Sequence, residues 1–232
     1  HIDASATASW NDAGTDTSVL EGFKPIGTYS SPDTTSFRAI FDGRGHTITD
    51  LVINRSSSDF VGLFGAIGSV GEVHNLKLLV GTVTGSSYVG ALTGLNYGVV
   101  SNVYVNCAVT GTGSNIGGLV GLNYFGIVSN ASSAGAVIGM GSNVGGLVGE
   151  NDYGSVLNAY ATGTVTGNSY YVGGLVGYNY LGSVSNAYAT GTMTGSFYYF
   201  GGLVGYNYLG AVSSSYCDIE TNGMSIAQGG IG

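Results

Sequence analysis

The sequence is poor in charge, and most of the charge that it carries is negative. Lysine and arginine together number five, against 13 aspartate and glutamate residues, and the net charge is −8. All five cationic residues lie at or before Lys77, so the last two thirds of the chain contain none. Nucleic acids and anionic membrane surfaces both bind proteins through clustered lysine and arginine side chains. The sequence therefore argues against nucleic acid and against membranes as partners.

Long hydrophobic runs and proline are also scarce. No run of about 18 or more apolar residues is present, so the sequence predicts no transmembrane helix and no membrane insertion. With only two prolines and no Gly-x-y period, the chain is not collagen. Hydrophobic residues still make up 44% of it, which argues against disorder. The sequence has neither an initiator methionine nor a signal peptide, so we expect a processed chain or an excised fragment.

Glycine, in contrast, is abundant, with 43 residues in a chain of 232, and it marks an internal repeat. A small residue precedes leucine at intervals of 27 to 29 residues, at Gly62, Ala91, Gly118, Gly146, Gly174 and Gly202. A valine column keeps the same phase at Val73, Val100, Val128, Val156, Val184 and Val212, with Ile48 as an expected earlier member. One repeat cannot bury its apolar side alone, whereas stacked repeats form a continuous core.

Within each repeat the residues alternate with the period of a β-strand. Valine, threonine and tyrosine, which favour pleated surfaces, dominate segments such as 159–167. The sequence therefore predicts an all-β fold, a parallel β-solenoid with about 28 residues per coil. Parity places Val156, Ala159 and Ala161 inward, and Tyr160 and Thr162 outward. The outward column then contains Lys77, Tyr104, Ser132, Tyr160, Tyr188 and Tyr216.

Asparagine recurs two residues after the valine column, where each coil is expected to turn a corner. The positions are Asn75, Asn102, Asn130, Asn158 and Asn186, with Ser214 in the last place and Asp50 one coil earlier. We expect these residues to form an internal ladder in which each amide satisfies its neighbour one coil away. Such a ladder predicts a structural role and no ligand.

The repeated Gly-Leu-Val-Gly segments resemble the GLUG motif of bacterial and archaeal surface proteins. They lie at residues 118–121, 146–149, 174–177 and 202–205. Residues 23–27 and 41–48 resemble the segment that opens such arrays, and residues 216–223 resemble the segment that closes them. The resemblance implies secretion, a right-handed parallel β-helix and a role at the cell surface in adhesion or as passenger structure. It implies no catalytic residues.

Residues suited to catalysis or metal binding are few. Polysaccharide lyases of similar fold need clustered acids and a basic residue, whereas the regular coils offer Glu150 and Asp152, interpreted as solvated acids on a loop. His46 is interpreted as part of a capping turn and His74 as a surface residue. His1 can bind copper through its amino group and ring, although nothing else supports that. We therefore predict no enzyme, no cofactor and no metal site.

The two cysteines are too far apart for an internal bridge. Cys107 and Cys217 follow corners that are separated by four coils, or about 19 Å at the spacing of β-strands. A disulfide requires Cα atoms within about 7 Å. Both positions have inward parity, so we expect two buried, reduced thiols. An intermolecular bridge is the alternative.

Two outward surfaces are candidate contact sites. Tyrosines one repeat apart suit glycan stacking or protein contacts, although they can also simply stabilise the sheet. Those of the contact surface are Tyr104, Tyr160, Tyr188, Tyr216, Tyr178 and Tyr206, and Tyr180 and Tyr208 follow the same spacing. Threonine pairs at 82/84, 164/166 and 192/194 form the array typical of ice-binding solenoids, but Ala108/Thr110 and Ala136/Ile138 interrupt it.

The domain organisation follows from these patterns. We predict an N-terminal capping segment at residues 1–47, a solenoid of GLUG-type repeats at 48–223 and a C-terminal tail at 224–232. The expected function is that of a non-enzymatic structural protein outside the cell, at its surface, which assembles with itself into a filament, sheath or surface layer. The alternative is an adhesin or glycan-binding module, and ice binding ranks below it. The expected partners are thus other copies of the chain or surface glycans.

Overall fold

The structure, a computed structural model, describes residues 1–11, 20–30, 34–195 and 198–218. In this part of the chain nearly every regular element is a short β-strand, and the one helix is a 3₁₀-helix at Ser5–Ser9. None of the described helical structure is long and apolar enough to cross a membrane.

The strands follow one another at short intervals along the chain. The first eight are β1 (Ile2–Asp3), β2 (Ile40–Thr49), β3 (Val52–Asn54), β4 (Phe64–Ile67), β5 (Glu72–Gly85), β6 (Thr93–Asn96), β7 (Val99–Gly111) and β8 (Ile116–Gly117). The next eight are β9 (Val120–Tyr124), β10 (Ile127–Ser133), β11 (Val137–Gly139), β12 (Val144–Gly145), β13 (Val148–Asp152), β14 (Ser155–Leu157), β15 (Tyr160–Ala161) and β16 (Val165–Gly167). The last nine are β17 (Val172–Gly173), β18 (Val176–Tyr180), β19 (Ser183–Ser185), β20 (Tyr188–Ala189), β21 (Met193–Gly195), β22 (Phe200–Gly201), β23 (Val204–Tyr208), β24 (Ala211–Ser213) and β25 (Tyr216–Cys217).

These strands form three sheets, in which each strand pairs in parallel with its equivalent in the next coil. A 15-stranded sheet runs through β1-β2-β5-β7-β10-β14-β19-β24, a six-stranded sheet through β4-β6-β9-β13-β18-β23, and a four-stranded sheet through β8-β12-β17-β22. Val128, for example, pairs with Val100 on one side and with Val156 on the other. The chain is therefore a parallel β-solenoid, as the 28-residue repeat predicts.

The core follows the predicted parity. Val156, Ala159 and Ala161 are buried, Tyr160 is half-buried and Thr162 is exposed. The leucine of the repeat forms a fully buried column at Leu92, Leu119, Leu147, Leu175 and Leu203. Because the same face points inward in every coil, apolar contacts continue along the whole stack.

The first coil departs from the predicted register. Val73 pairs with Phe41, whereas Ile48 pairs with Leu78, so the assignment of Ile48 to the valine column is wrong. The register shifts between Asp42 and His46, where β2 carries extra residues in a glycine-containing bulge. A constant period cannot reveal such an insertion. For the same reason, Asp50 does not lie beside Asn75 as the first member of the asparagine column. Its N–H donates instead to Leu79 O, further along β5.

The N-terminal end of the solenoid is covered. Strand β1 pairs with β2, and the 3₁₀-helix packs beside β3, where Thr7 Oγ1 accepts a hydrogen bond from the Val52 N–H (2.9 Å). The boundary predicted between residues 47 and 48 falls inside β2, which pairs with β5 from Ile40 onward. Residues 219–232, which contain most of the predicted closing segment and the whole tail at 224–232, lie outside the described residues.

Candidate functional site: two tyrosine-bearing faces

The predicted asparagines lie at a corner of the solenoid, on its surface rather than inside it. All five have a left-handed backbone with φ between 49° and 56°, a conformation that asparagine tolerates better than most residues. Their amides connect neighbouring coils at three places, Asn102 to Asn75 (3.2 Å), Asn158 to Asn130 (3.1 Å) and Asn186 to Asn158 (3.2 Å). The expectation that this ladder is internal is wrong, because the amides project from the turn toward solvent. We call these five residues the corner ladder.

The predicted outward column lies beside the corner ladder and is in register in every described coil. Lys77 pairs with Tyr104, Ser132 lies between Tyr104 and Tyr160, and Tyr188 pairs with Tyr216. The rings of Tyr160 and Tyr188 stack with centroids 4.9 Å apart and planes within 3°. A groove of about 500 Å³ runs between this column and the corner ladder. We call this surface the corner face.

A second asparagine ladder, which the sequence analysis missed, is buried at the end of the six-stranded sheet. The Nδ2 of each of the first four members donates to the Oδ1 of the next coil at 2.7–2.8 Å, and the Nδ2 of all five donates to a backbone carbonyl of its own turn. The residues are Asn96, Asn123, Asn151, Asn179 and Asn207, and the first four are fully buried. Their spacing of 27 or 28 residues is visible in the sequence, in the repeated Asn-Tyr and Asn-Asp pairs. We call them the buried ladder.

The outward side of the six-stranded sheet carries the predicted Tyr178 and Tyr206, which pair in register. Their rings lie 5.6 Å apart, and Tyr171 from the adjoining turn stacks on both, at 5.1 and 5.0 Å. Tyr180 and Tyr208 form a parallel stack beside them at 5.2 Å. We call this surface the aromatic face.

Two carboxylates interrupt the aromatic face at its centre. Glu150 and Asp152 lie on β13, in register with Leu122 and Tyr124 of the preceding coil. Both are partly buried on a strand, so their interpretation as solvated acids on a loop is wrong. The amides of Asn115 and Asn143 each donate to Glu150 Oε2, at 2.6 and 2.9 Å.

Burial raises the pKa of three groups on the aromatic face, Glu150, Asp152 and Tyr178. It raises the pKa of Glu150, an effect opposed by the two amide donors and reinforced by the nearby Asp152. Burial also raises the pKa of Asp152. The pKa of Tyr178 rises to about 12, chiefly through burial and then through the negative charge of Glu150. Since no lysine or arginine follows Lys77, the chain supplies no cation of its own in these coils.

A cleft of about 400 Å³ opens at this point of the aromatic face. The two carboxylates and the Asn115 amide line its polar side. Rings from earlier coils form its other walls, at Tyr29, Phe60, Tyr88, Tyr97 and Tyr124. Phe60 and Tyr88 stack at 4.6 Å with nearly parallel planes. On the aromatic face, the two carboxylates and the Asn115 amide thus lie between the rings of the earlier coils and the tyrosine rings of the later coils.

The remaining candidate residues are dispersed. Cys107 and Cys217 are free thiols; Cys107 is buried, whereas Cys217 is only half-buried, which corrects the expectation that both are buried. Burial raises the pKa of Cys107 to about 11. His74 contacts Asn75, and His1 Nδ1 accepts the Thr47 N–H (3.1 Å).

No group of three or more histidine, cysteine, aspartate or glutamate side chains suited to a metal occurs in the described ranges. The threonine array is interrupted as the sequence predicts. Its column contains Thr84, Thr110, Ile138, Thr166 and Thr194 in register, and Ile138 is exposed.

Comparison with known proteins matches these coils to one motif. The GLUG motif matches residues 112–138, 140–166 and 168–194. The chain is 42% identical over 112 residues to halomucin from Haloquadratum walsbyi, which is 47% of this chain and 1% of that protein. It is also 42% identical over 87 residues to a protein from Evansella cellulosilytica provisionally named a Gly-rich membrane protein, covering 36% of this chain and 10% of that one. The chain therefore spans only a small part of these relatives.

A solved structure has the same fold. It is a protein from Bacteroides ovatus, provisionally assigned as an immunoglobulin A1 protease, and it superposes with a TM-score of 0.67 at 20% sequence identity. The match covers 88% of this chain and 65% of that one, and at this identity it supports the fold alone. The predicted resemblance is thus confirmed in the middle of the chain, where residues 112–194 are three GLUG-motif repeats that each form one coil of the solenoid.

Proposed function

We propose that the chain is a structural, non-enzymatic β-solenoid module of a larger protein outside the cell, at its surface. One observation carries the proposal. The residues that recur from coil to coil are the leucine and valine columns of the core and the asparagines of the two ladders. These repeated positions hold neighbouring coils together. The names of the relatives, halomucin and Gly-rich membrane protein, support a surface location.

The module makes its contacts sideways, between copies of the chain in a filament, sheath or layer. Strand β1 and the 3₁₀-helix pack at the N-terminal end, which disfavours stacking through that end and favours contacts through the side faces. Exposed rings are frequent there, including Tyr188 and Tyr216 of the corner face, the latter 71% exposed. Exposed rings in neighbouring coils favour contact with another molecule, because large exposed apolar patches are uncommon on proteins that stay monomeric.

Sedimentation velocity and electron microscopy of the purified chain test this proposal. We expect concentration-dependent assemblies, and we expect Tyr188→Ser with Tyr216→Ser to weaken them. Serine already occupies the same column at Ser132, so the substitution suits the fold. Val70→Ser, at an exposed valine in the turn between β4 and β5 and outside the corner face, is the control. A wild-type chain that stays monomeric at all concentrations overturns the proposal of self-assembly.

A second candidate function is glycan binding at the aromatic face. The observation that favours it is the cleft of about 400 Å³, in which tyrosine rings adjoin the Asn115 amide and two carboxylates. Flat rings stack on sugar faces, and carboxylates and amides bond hydroxyl groups. A glycan array tests this function, and an ice-recrystallisation assay tests the weaker alternative. Array binding that survives Tyr88→Ala with Tyr124→Ala would exclude this face as the glycan site.

A further inference from the structure

We propose that the cleft of the aromatic face binds an amino sugar. Its ammonium group lies between the Glu150 and Asp152 carboxylates, and its pyranose ring lies against the Tyr88 and Tyr124 rings. This inference specifies the ligand class of the second candidate function, glycan binding, and rests on it. It follows from three features of the cleft: its uncompensated negative charge, its aromatic walls and its size.

No cation among the described residues pairs with the carboxylates of the cleft. Burial removes hydration from a carboxylate, so buried carboxylates are normally paired with cations. Glu150 and Asp152 are partly buried and lose part of their hydration. Within the ranges that the structure describes, neither Glu150 nor Asp152 forms an ion pair, and no lysine or arginine exists beyond Lys77. Asp152 Oδ1 is also buried without any hydrogen-bond partner there. An external cation that carries N–H donors supplies both the missing charge and the missing donor.

The rings around the carboxylates select the kind of cation. Tyr88 and Tyr124 line the same cleft as the carboxylates, and the charge of Glu150 acts on Tyr88 strongly enough to help raise its pKa. Aromatic faces attract organic ammonium groups, whereas a hydrated metal ion needs more oxygen ligands than these side chains offer. The Glu150 carboxylate is already oriented by Asn115 and Asn143, so the anionic group is held in place before a ligand arrives.

The shape of the surface favours a sugar over a lysine side chain. The cleft, at about 400 Å³, has the size of a small-molecule site rather than a narrow channel for one alkyl chain. Further rings continue along the aromatic face, at Tyr171, Tyr178 and Tyr206, in coils spaced about 4.8 Å apart. A row of flat rings next to the charged centre suits successive pyranose units of an oligosaccharide.

Titration calorimetry at neutral pH with a glucosamine tetramer and with the N-acetylglucosamine tetramer tests the inference. Acetylation removes the ammonium charge but keeps the rings and the linkage. We expect the wild-type chain to bind the glucosamine tetramer at least about tenfold more tightly than the acetylated one. Glu150→Gln and Asp152→Asn should each abolish this preference, whereas Glu72→Gln, which removes an exposed acid elsewhere, should leave it intact. Urea unfolding of each variant establishes that it is folded.

The other outcomes overturn the inference in distinguishable ways. Equal binding of both tetramers, unchanged by Glu150→Gln, means that the ammonium group is not recognised, but glycan binding itself survives. Tetralysine or calcium binding at least as tight as that of the glucosamine tetramer shows a general cation site. No binding of either tetramer removes both the inference and its parent function at this face. Lateral self-assembly is measured separately by sedimentation, so none of these results decides it.

Discussion

The two asparagine ladders have the same period but different environments. The buried ladder is continuous, and each of its Nδ2 groups also bonds a backbone carbonyl of its own turn, as Asn151 does with Gly154. The corner ladder is exposed, its bonds are longer, and no bond links Asn102 to Asn130. In the buried ladder, water cannot reach the amide groups, so each hydrogen bond between neighbouring amides satisfies groups that would otherwise be left unpaired. At the exposed corner, water competes with the neighbouring amide for the same hydrogen bonds. We infer that the buried ladder stabilises the fold through its hydrogen bonds. The corner ladder stabilises it mainly because asparagine tolerates the left-handed backbone of the turn.

Removing one amide from the buried ladder gives the largest expected effect. Asn151→Ala should lower the free energy of unfolding by about 3 kcal/mol, because it leaves a cavity and deprives the Asn179 Oδ1 of its donor. Urea denaturation followed by circular dichroism measures this change. Asn158→Ala, seven residues later in the same coil, is the matched variant on the corner ladder. If the two substitutions cost the same, the distinction between the ladders is wrong.

The turn that encloses the buried ladder is expected to be nearly as sensitive. A methyl group at Gly154 would meet Asn123 Nδ2 and approach Asn151 Oδ1 within 2.6 Å. Gly154→Ala should therefore destabilise the fold by about 2 kcal/mol, since the ladder amides must move apart. Chemical denaturation measures the loss. Gly45→Ala is the control for a glycine substitution without steric conflict, because nothing lies within 4 Å of the added methyl, although the left-handed φ of 72° adds its own strain. A Gly154→Ala loss no larger than that of Gly45→Ala would contradict this explanation.

The period of the repeat and the alternation within strands predicted the solenoid and its core residues correctly. They did not predict which side chains the turns bury. Val156 and Ala161 are buried because alternation in a strand determines the face. The asparagine columns that contain Asn151 and Asn158 have the same period, so the period alone cannot reveal which of the two turns buries its asparagine side chain. The hydrogen bonds of Glu150 come from Asn115 and Asn143, which lie in two other turns. The bulge between Asp42 and His46 shifts the first coil because it breaks the period itself.

Substitutions at the corner separate backbone conformation from hydrogen bonding. Asn158 has φ 50°, and alanine there should cost about 1 kcal/mol, since a left-handed backbone disfavours a residue with a Cβ. Asn158→Gly removes the same amide bonds but relieves the backbone, so its cost should stay below about 0.5 kcal/mol. Thermal and urea unfolding of the pair measure the difference. Equal losses for alanine and glycine would mean that the exposed amides, not the backbone, stabilise the corner.

The smallest expected effect is a gain at the last described corner. Ser214 holds the place of the corner asparagine with φ 48°, next to Asn186, whose N–H donates to Ser213 O. Ser214→Asn should raise the free energy of unfolding by about 0.5 kcal/mol, because asparagine suits this backbone better than serine does.

Ser214→Gly distinguishes the two sources of that gain, since glycine also accepts the left-handed backbone but cannot extend the ladder. If the backbone dominates at exposed corners, glycine and asparagine should increase stability to a similar extent in urea. A gain with asparagine that clearly exceeds the gain with glycine would show that an exposed amide contributes through its hydrogen bonds. The corner ladder would then resemble the buried ladder in mechanism and differ from it only in magnitude.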